Sequence, residues 1–136
     1  MITRIAAIGA VVVTGCVSVI DVAVKDHAVV ADRIELGQSV DDVLQVLEPT
    51  QLALPAVARK HPDRYVKKGE EFFIYYARSG NQRDGLTTDD EFTPYLFIDG
   101  QLKAIGWVTL GGPKTHGQAV PETHLYMTHP YYGRRW

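Results

Sequence analysis

Cysteine is nearly absent from this 136-residue chain: Cys16 stands alone, so neither an intramolecular disulfide nor a cysteine-based zinc site can form. An excess of positive charge is missing as well. With 14 Lys and Arg against 16 Asp and Glu the formal net charge is −2, and the basic field that binding to a phosphate backbone requires does not arise. Nucleic acid is therefore not an expected partner. The longest apolar run, 5–20, is shorter than the roughly 20 residues of a membrane-spanning helix, and Thr14, Cys16 and Ser18 interrupt it. Metal-ligand patterns are thin: His116, His124 and His129 share no tight spacing, and the acids never follow the Asp-x-Asp-x-Asp-Gly order of an EF-hand. What is present, 46% hydrophobic and 22% charged residues, is the composition of one ordinary globular domain.

The first residues read differently from the rest. A short positive segment ending at Arg4 is followed by the small apolar run 5–13 and then by Val13-Thr14-Gly15-Cys16, which is signal-peptide anatomy. Its ending resembles the bacterial lipobox, in which small residues admit an extended backbone to the peptidase and the cysteine sulfur takes the lipid. That resemblance implies lipidation of Cys16, cleavage before it, and a membrane anchor built from several acyl chains, each buried methylene contributing about 0.8 kcal/mol. An uncleaved signal anchor is the alternative. Val17, rather than Asp, follows the cysteine, and under the lipoprotein sorting rule this points to the outer membrane with the domain facing the periplasm. The expected organisation is a signal peptide over 1–15, a lipidated Cys16 with a tether over 16–25, a folded domain over 26–110, and a flexible aromatic and basic tail over 111–136.

Within the domain, Asp26 can cap a short helix over 26–36 that places Val29, Val30 and Ile34 on one side and ends at Gly37. A second helix begins at Ser39, with Asp42 at the third position and Val40, Val43, Leu44 and Leu47 at helical spacing. Pro49 is expected to stop it after Glu48. The stretch 50–68 reads as a loop carrying Arg59, Lys60, His61, Arg64, Lys67 and Lys68. It is either a solvated segment offsetting acids elsewhere or a surface for anionic headgroups. Residues 71–78, EFFIYYAR, form a strand, with Phe72, Ile74 and Tyr76 on one face and Phe73, Tyr75 and Ala77 on the other. Runs 93–98 and 101–110 flank Asp99-Gly100, the pair favoured in a type I′ hairpin turn, and Pro94 belongs at a strand beginning or an edge. The fold class expected is α+β: two short helices, then a three-stranded antiparallel sheet, in the order ααβββ.

Between the strands lies the polar loop 84–91, with Asp84, Asp89, Asp90 and Glu91 beside Thr87 and Thr88. Three readings stay open: side chains bonding local backbone, a partner-contact surface, or oxygen ligands for Ca²⁺ or a small ligand. Acid–base catalysis is disfavoured, because adjacent acids on an exposed loop have nothing to drive their pKa values apart. The tail closes on HPYYGRRW, where Tyr131, Tyr132 and Trp136 beside Arg134 and Arg135 mix aromatic and cationic groups of the kind that dock on membranes or protein grooves. Candidate contact residues are Tyr75, Thr87, Thr88, Asp90, Glu91, Tyr131, Tyr132 and Trp136, together with an exposed face bearing Phe73 and Tyr75. No cofactor is implied.

Two resemblances follow from these residues. Leu36-Gly37-Gln38-Ser39-Val40-Asp41-Asp42-Val43, with Pro49 six residues on, resembles the opening helix of the SmpA/OmlA lipoproteins, the small outer-membrane proteins that include BamE of the β-barrel assembly machinery. Tyr75-Tyr76-x-Arg78 and the run from Asp84 through Asp90-Glu91 and Thr93-Pro94 to Asp99-Gly100 more closely resemble an uncharacterised proteobacterial lipoprotein family with a domain of unknown function. The resemblance implies a BamE-like fold and a non-enzymatic envelope lipoprotein that works by binding a protein partner in support of envelope assembly or integrity. A ligand- or Ca²⁺-binding lipoprotein using the 84–91 loop is the alternative.

Overall fold

A computed structural model describes residues 17–84 and 86–113. Two helices, α1 (Val19–Val30) and α2 (Val40–Gln51), precede four strands: β1 (Asp63–Lys67), β2 (Glu70–Arg78), β3 (Phe92–Ile98) and β4 (Gln101–Ile105). The strands form one antiparallel sheet in the order β1-β2-β3-β4. The α+β class and the helices-then-sheet order are as expected, with one strand more.

Both helices start on a serine. Ser18 Oγ accepts from Ile20 N at 3.2 Å and Ser39 Oγ from Asp42 N at 3.1 Å, and each helix places acids in its first turn, where free N–H groups favour them. The first helix lies earlier than expected: Val19 to Lys25, read as tether, is helical, because Ser18 caps and Ala23 and His27 bury one stripe. Of the expected 16–25 tether only Val17 and Ser18 stand outside the helix among the described residues. Residues 31–33 continue as a 3₁₀ turn and Ile34 is buried beneath.

Helix α2 does not stop at Pro49 but runs to Gln51. Pro49 and Gln45, whose carbonyl the missing N–H would have bonded, both face solvent, so water can take that carbonyl. The opposite side carries Val43, Leu47, Thr50 and Gln51 into the interior.

Strand β1 was hidden in the basic stretch. Its partner is β2, from Asp63 opposite Ile74 to Lys67 opposite Glu70. The turn between them has Lys68 and Gly69 at φ 51° and 81°, matching Asp99 and Gly100 at 49° and 80° in the β3–β4 turn. Positive φ at both central positions marks type I′. The β4 run ends at Ile105 rather than 110, since Gly106 turns out at φ 94° and residues 108–110 form a 3₁₀ turn. Pro94 is third in β3, inside the sheet. Its carbonyl accepts Gly106 N–H at 2.8 Å, directing the donorless nitrogen toward the end of β4, where the strand already stops at Ile105.

Strand alternation holds on both faces. Phe73, Tyr75 and Ala77 of β2 meet Tyr95 and Phe97 of β3 and Val43 and Leu47 of α2 in the main core, each fully buried apolar side chain contributing about 1.5–3 kcal/mol. The expected exposed face of Phe73 and Tyr75 is therefore corrected: they are 9% and 8% exposed, because the helices cover that side. Ile74, Tyr76, Phe92 and Leu96 make the second cluster on the outer face, flanked by Tyr65, Phe72 and Trp107.

Candidate functional site

The loop between β2 and β3 is organised by a buried cation. Arg78, last in β2 and 1% exposed, donates through Nη2 to Glu91 Oε1 at 2.9 Å, through Nη1 to Ala58 O at 3.0 Å, and through Nε to Gly80 O at 3.2 Å. Glu91, equally buried, also accepts Gln82 N at 2.8 Å and Thr88 N at 2.7 Å. Its backbone carbonyl takes Ser79 N and Gly80 N, both at 2.9 Å. The two strands of the loop pass closely here: a Cβ at Gly80 would sit in van der Waals contact with Glu91 Cα at 3.4 Å. Gln51, at the end of α2, accepts Arg78 N at 2.7 Å. One ion pair thus locks α2, the 56–58 turn, and both ends of the loop.

The remaining polar groups of the loop are committed in the same way. Thr88 and Glu91 form a capping box around a 3₁₀ turn at 89–91. Asp90 accepts from Gln82 Nε2 and Thr88 Oγ1, Asp89 pairs with Lys60 at 3.0 Å, and Asp84 accepts Leu86 N at 2.9 Å. Thr87 Oγ1 donates to Val57 O at 3.2 Å. Of the three readings of this loop, side chains bonding local backbone describes its geometry. Glu91 and Thr88, at 1% and 9% exposure, are corrected from contact residues to internal supports, because their oxygens satisfy buried N–H groups. Thr87 and Asp90 remain exposed. Among the described residues no three His, Cys, Asp or Glu side chains converge as a metal site.

Tyr75 is likewise corrected: it is a core residue, 8% exposed, that also borders a cleft of about 360 Å³ whose lining includes Glu48, Arg59, Lys60, His61 and Tyr76. Burial, and then the Glu48 carboxylate, push the Tyr75 phenol far up, with Arg59 opposing. Lys60 sits 4.8 Å over the Tyr76 ring, and Tyr76 donates to Asp63 Oδ2 at 2.7 Å. The Arg59, Lys60, His61 part of the basic stretch thus lines a folded cleft, and Arg64 lies 4.6 Å over Phe73.

A second buried polar contact joins α1 to the sheet. His27 Nε2 lies 2.8 Å from Tyr95 Oη. Burial lowers the His27 pKa from 6.5 and pushes the Tyr95 phenol up to about 12. The sequence reading assigned no role to His27, Gln51 or Tyr95. Arg78 was visible as the charge ending an aromatic strand and as part of the Tyr75-Tyr76-x-Arg78 motif, with no partner or role attached to it. Cys16, Tyr131, Tyr132 and Trp136 lie outside the described residues, as does the tail from 114 onward. Comparison with protein-family models, with curated proteins and with solved structures finds no match.

Proposed function

We propose that this chain is a bacterial outer-membrane lipoprotein, anchored through Cys16, whose periplasmic α+β domain is a non-enzymatic module that binds an envelope protein in support of envelope assembly or integrity. The observation that carries the binding role is the outer face of the sheet. Neither α1 nor α2 packs on it, only Leu110 of the 108–110 turn reaches over one end, and it presents half-buried Tyr65, Phe72 and Trp107 around the Ile74–Leu96 cluster. Tyr65 stacks on Phe72 at 5.0 Å and Tyr76 on Trp107 at 5.7 Å, giving a preformed aromatic surface. Rigid aromatic area loses little conformational freedom on binding, which is why such residues dominate interface energetics. The anchor is supported by the 1–16 leader.

Two measurements test this. Mass spectrometry of the membrane-extracted protein should find acyl chains on Cys16, and Cys16→Ala should release the domain from membranes; an unmodified Cys16 overturns the anchor. A photoreactive phenylalanine at Tyr65 or Phe72 in living cells should capture a discrete envelope protein, whereas the same group at Lys103 should not. Equal or absent capture at all three sites, with the anchor intact, overturns the binding module. For the alternative, a small-ligand lipoprotein, the geometry favours the cleft of Tyr75, Arg59 and Glu48 over the 84–91 loop, whose acids are already bonded.

A further inference from the structure

Given the lipoprotein reading, on which this step rests, we infer that the pole of the domain formed by the start of α1, the 56–58 turn and residues 81–83 and 86–87 lies against the lipid surface. The expected tether is almost gone: α1 begins at Val19, and Ser18 already caps it. An anchor at Cys16 therefore has only Val17 between itself and the folded domain, a span of roughly 7 Å at the extended limit of the chain. The acyl chains cannot enter the bilayer without bringing this pole to the headgroups.

The composition of the pole fits that placement. A cleft of about 530 Å³ there is lined by residues including Ser18, Ile20, Pro55, Val57, Leu86 and Thr87. Val57 is 82% exposed, Leu86 46% and Val17 72%. Exposed apolar residues scattered singly mean little, but three brought to one end by separate segments make a patch. The segments are fastened together: Thr87 Oγ1 bonds Val57 O, while Asn81 Nδ2 and Arg83 Nη2 reach Asp21 of α1 at 2.7 and 3.2 Å. Asp21 of this pole is occupied by Asn81 and Arg83, and Arg83 is itself 81% exposed, so the contact with lipid is apolar at Val17, Val57 and Leu86 with one cation at the headgroup level. The opposite pole carries the Lys68-Gly69 and Asp99-Gly100 turns, about 25 Å away along the strands.

The test uses the full lipidated chain in phosphatidylethanolamine–phosphatidylglycerol vesicles. A single thiol introduced as Val57→Cys, Leu86→Cys or Lys103→Cys is labelled with a fluorophore, and the vesicles contain headgroup-nitroxide lipid. Quenching several-fold stronger at positions 57 and 86 than at 103, with the same ranking kept at high salt, is expected. Equal quenching at all three positions in a protein that floats with the vesicles overturns the orientation while leaving the anchor standing. A protein that fails to float and shows no acyl mass on Cys16 overturns both.

Discussion

Arg78 and Glu91 face each other at 2.9 Å with side chains 1% and 0% exposed, so neither charge has water to fall back on. Removing one member leaves the other buried and unpaired, which costs about 3–5 kcal/mol. Glu91→Gln or Arg78→Met should lower the urea midpoint accordingly, and for a domain of this size each kcal/mol corresponds to about 4–8 °C in Tm. The double variant Arg78→Met with Glu91→Leu should lose less than the sum of the singles. Additive losses would mean the pair is not coupled.

His27 makes stability pH-dependent. Its folded pKa is depressed below 6.5 by burial, so below that pH the unfolded chain binds a proton that the folded chain resists. The His27 contribution is complete above about 6.5 and is lost as pH falls below it, levelling off beneath the folded pKa. Urea midpoints measured across this range for wild type and His27→Gln should diverge at neutral pH and converge on acidification. A constant difference would exclude the mechanism.

The two type I′ turns differ in quality. Lys68 occupies φ 51°, a left-handed conformation that Asn tolerates better than Lys. Lys68→Asn should therefore raise stability by about 0.5 kcal/mol. Asp99, at φ 49°, also accepts Glu71 N at 3.0 Å through Oδ1, and Asp99→Ala should cost about 1 kcal/mol. Thermal unfolding of both variants reads the two effects directly; a lower Tm for Lys68→Asn together with an unchanged or higher Tm for Asp99→Ala would refute this account of the turns.

Leu47 is fully buried between α2 and the sheet, whereas Val57 is 82% exposed. Leu47→Ala should lose about 2–5 kcal/mol through the cavity it leaves, and Val57→Ala should stay within about 0.5 kcal/mol of wild type. Chemical denaturation of the pair separates core packing from the exposed apolar pole.

Much of the fold was legible because it rests on local signals. Ser39 with Asp42 announced α2, EFFIYYAR announced β2, and Asp99-Gly100 announced the hairpin, each through chemistry contained in a few neighbouring residues. Strand β1 was missed because DRYVK carries charge where a strand usually carries apolar residues, and because Lys68-Gly69 is a weak turn signal. As an edge strand it uses that charge to discourage further pairing. The α1 boundary was misplaced since Ser18 lies within the apolar stretch beginning at residue 5, which hides a cap.

The sequence by itself determined the class of elements and the two faces of β2, because period and turn chemistry are properties of adjacent residues. Only the tertiary structure decided which β2 face the helices cover, and so that Tyr75 is core while Tyr65 and Phe72 border the face that neither α1 nor α2 covers. It also decided that Glu91 belongs to Arg78. Those thirteen-residue and longer pairings depend on which surfaces exclude water together, and burial is a property of the assembled chain that no short stretch of it contains.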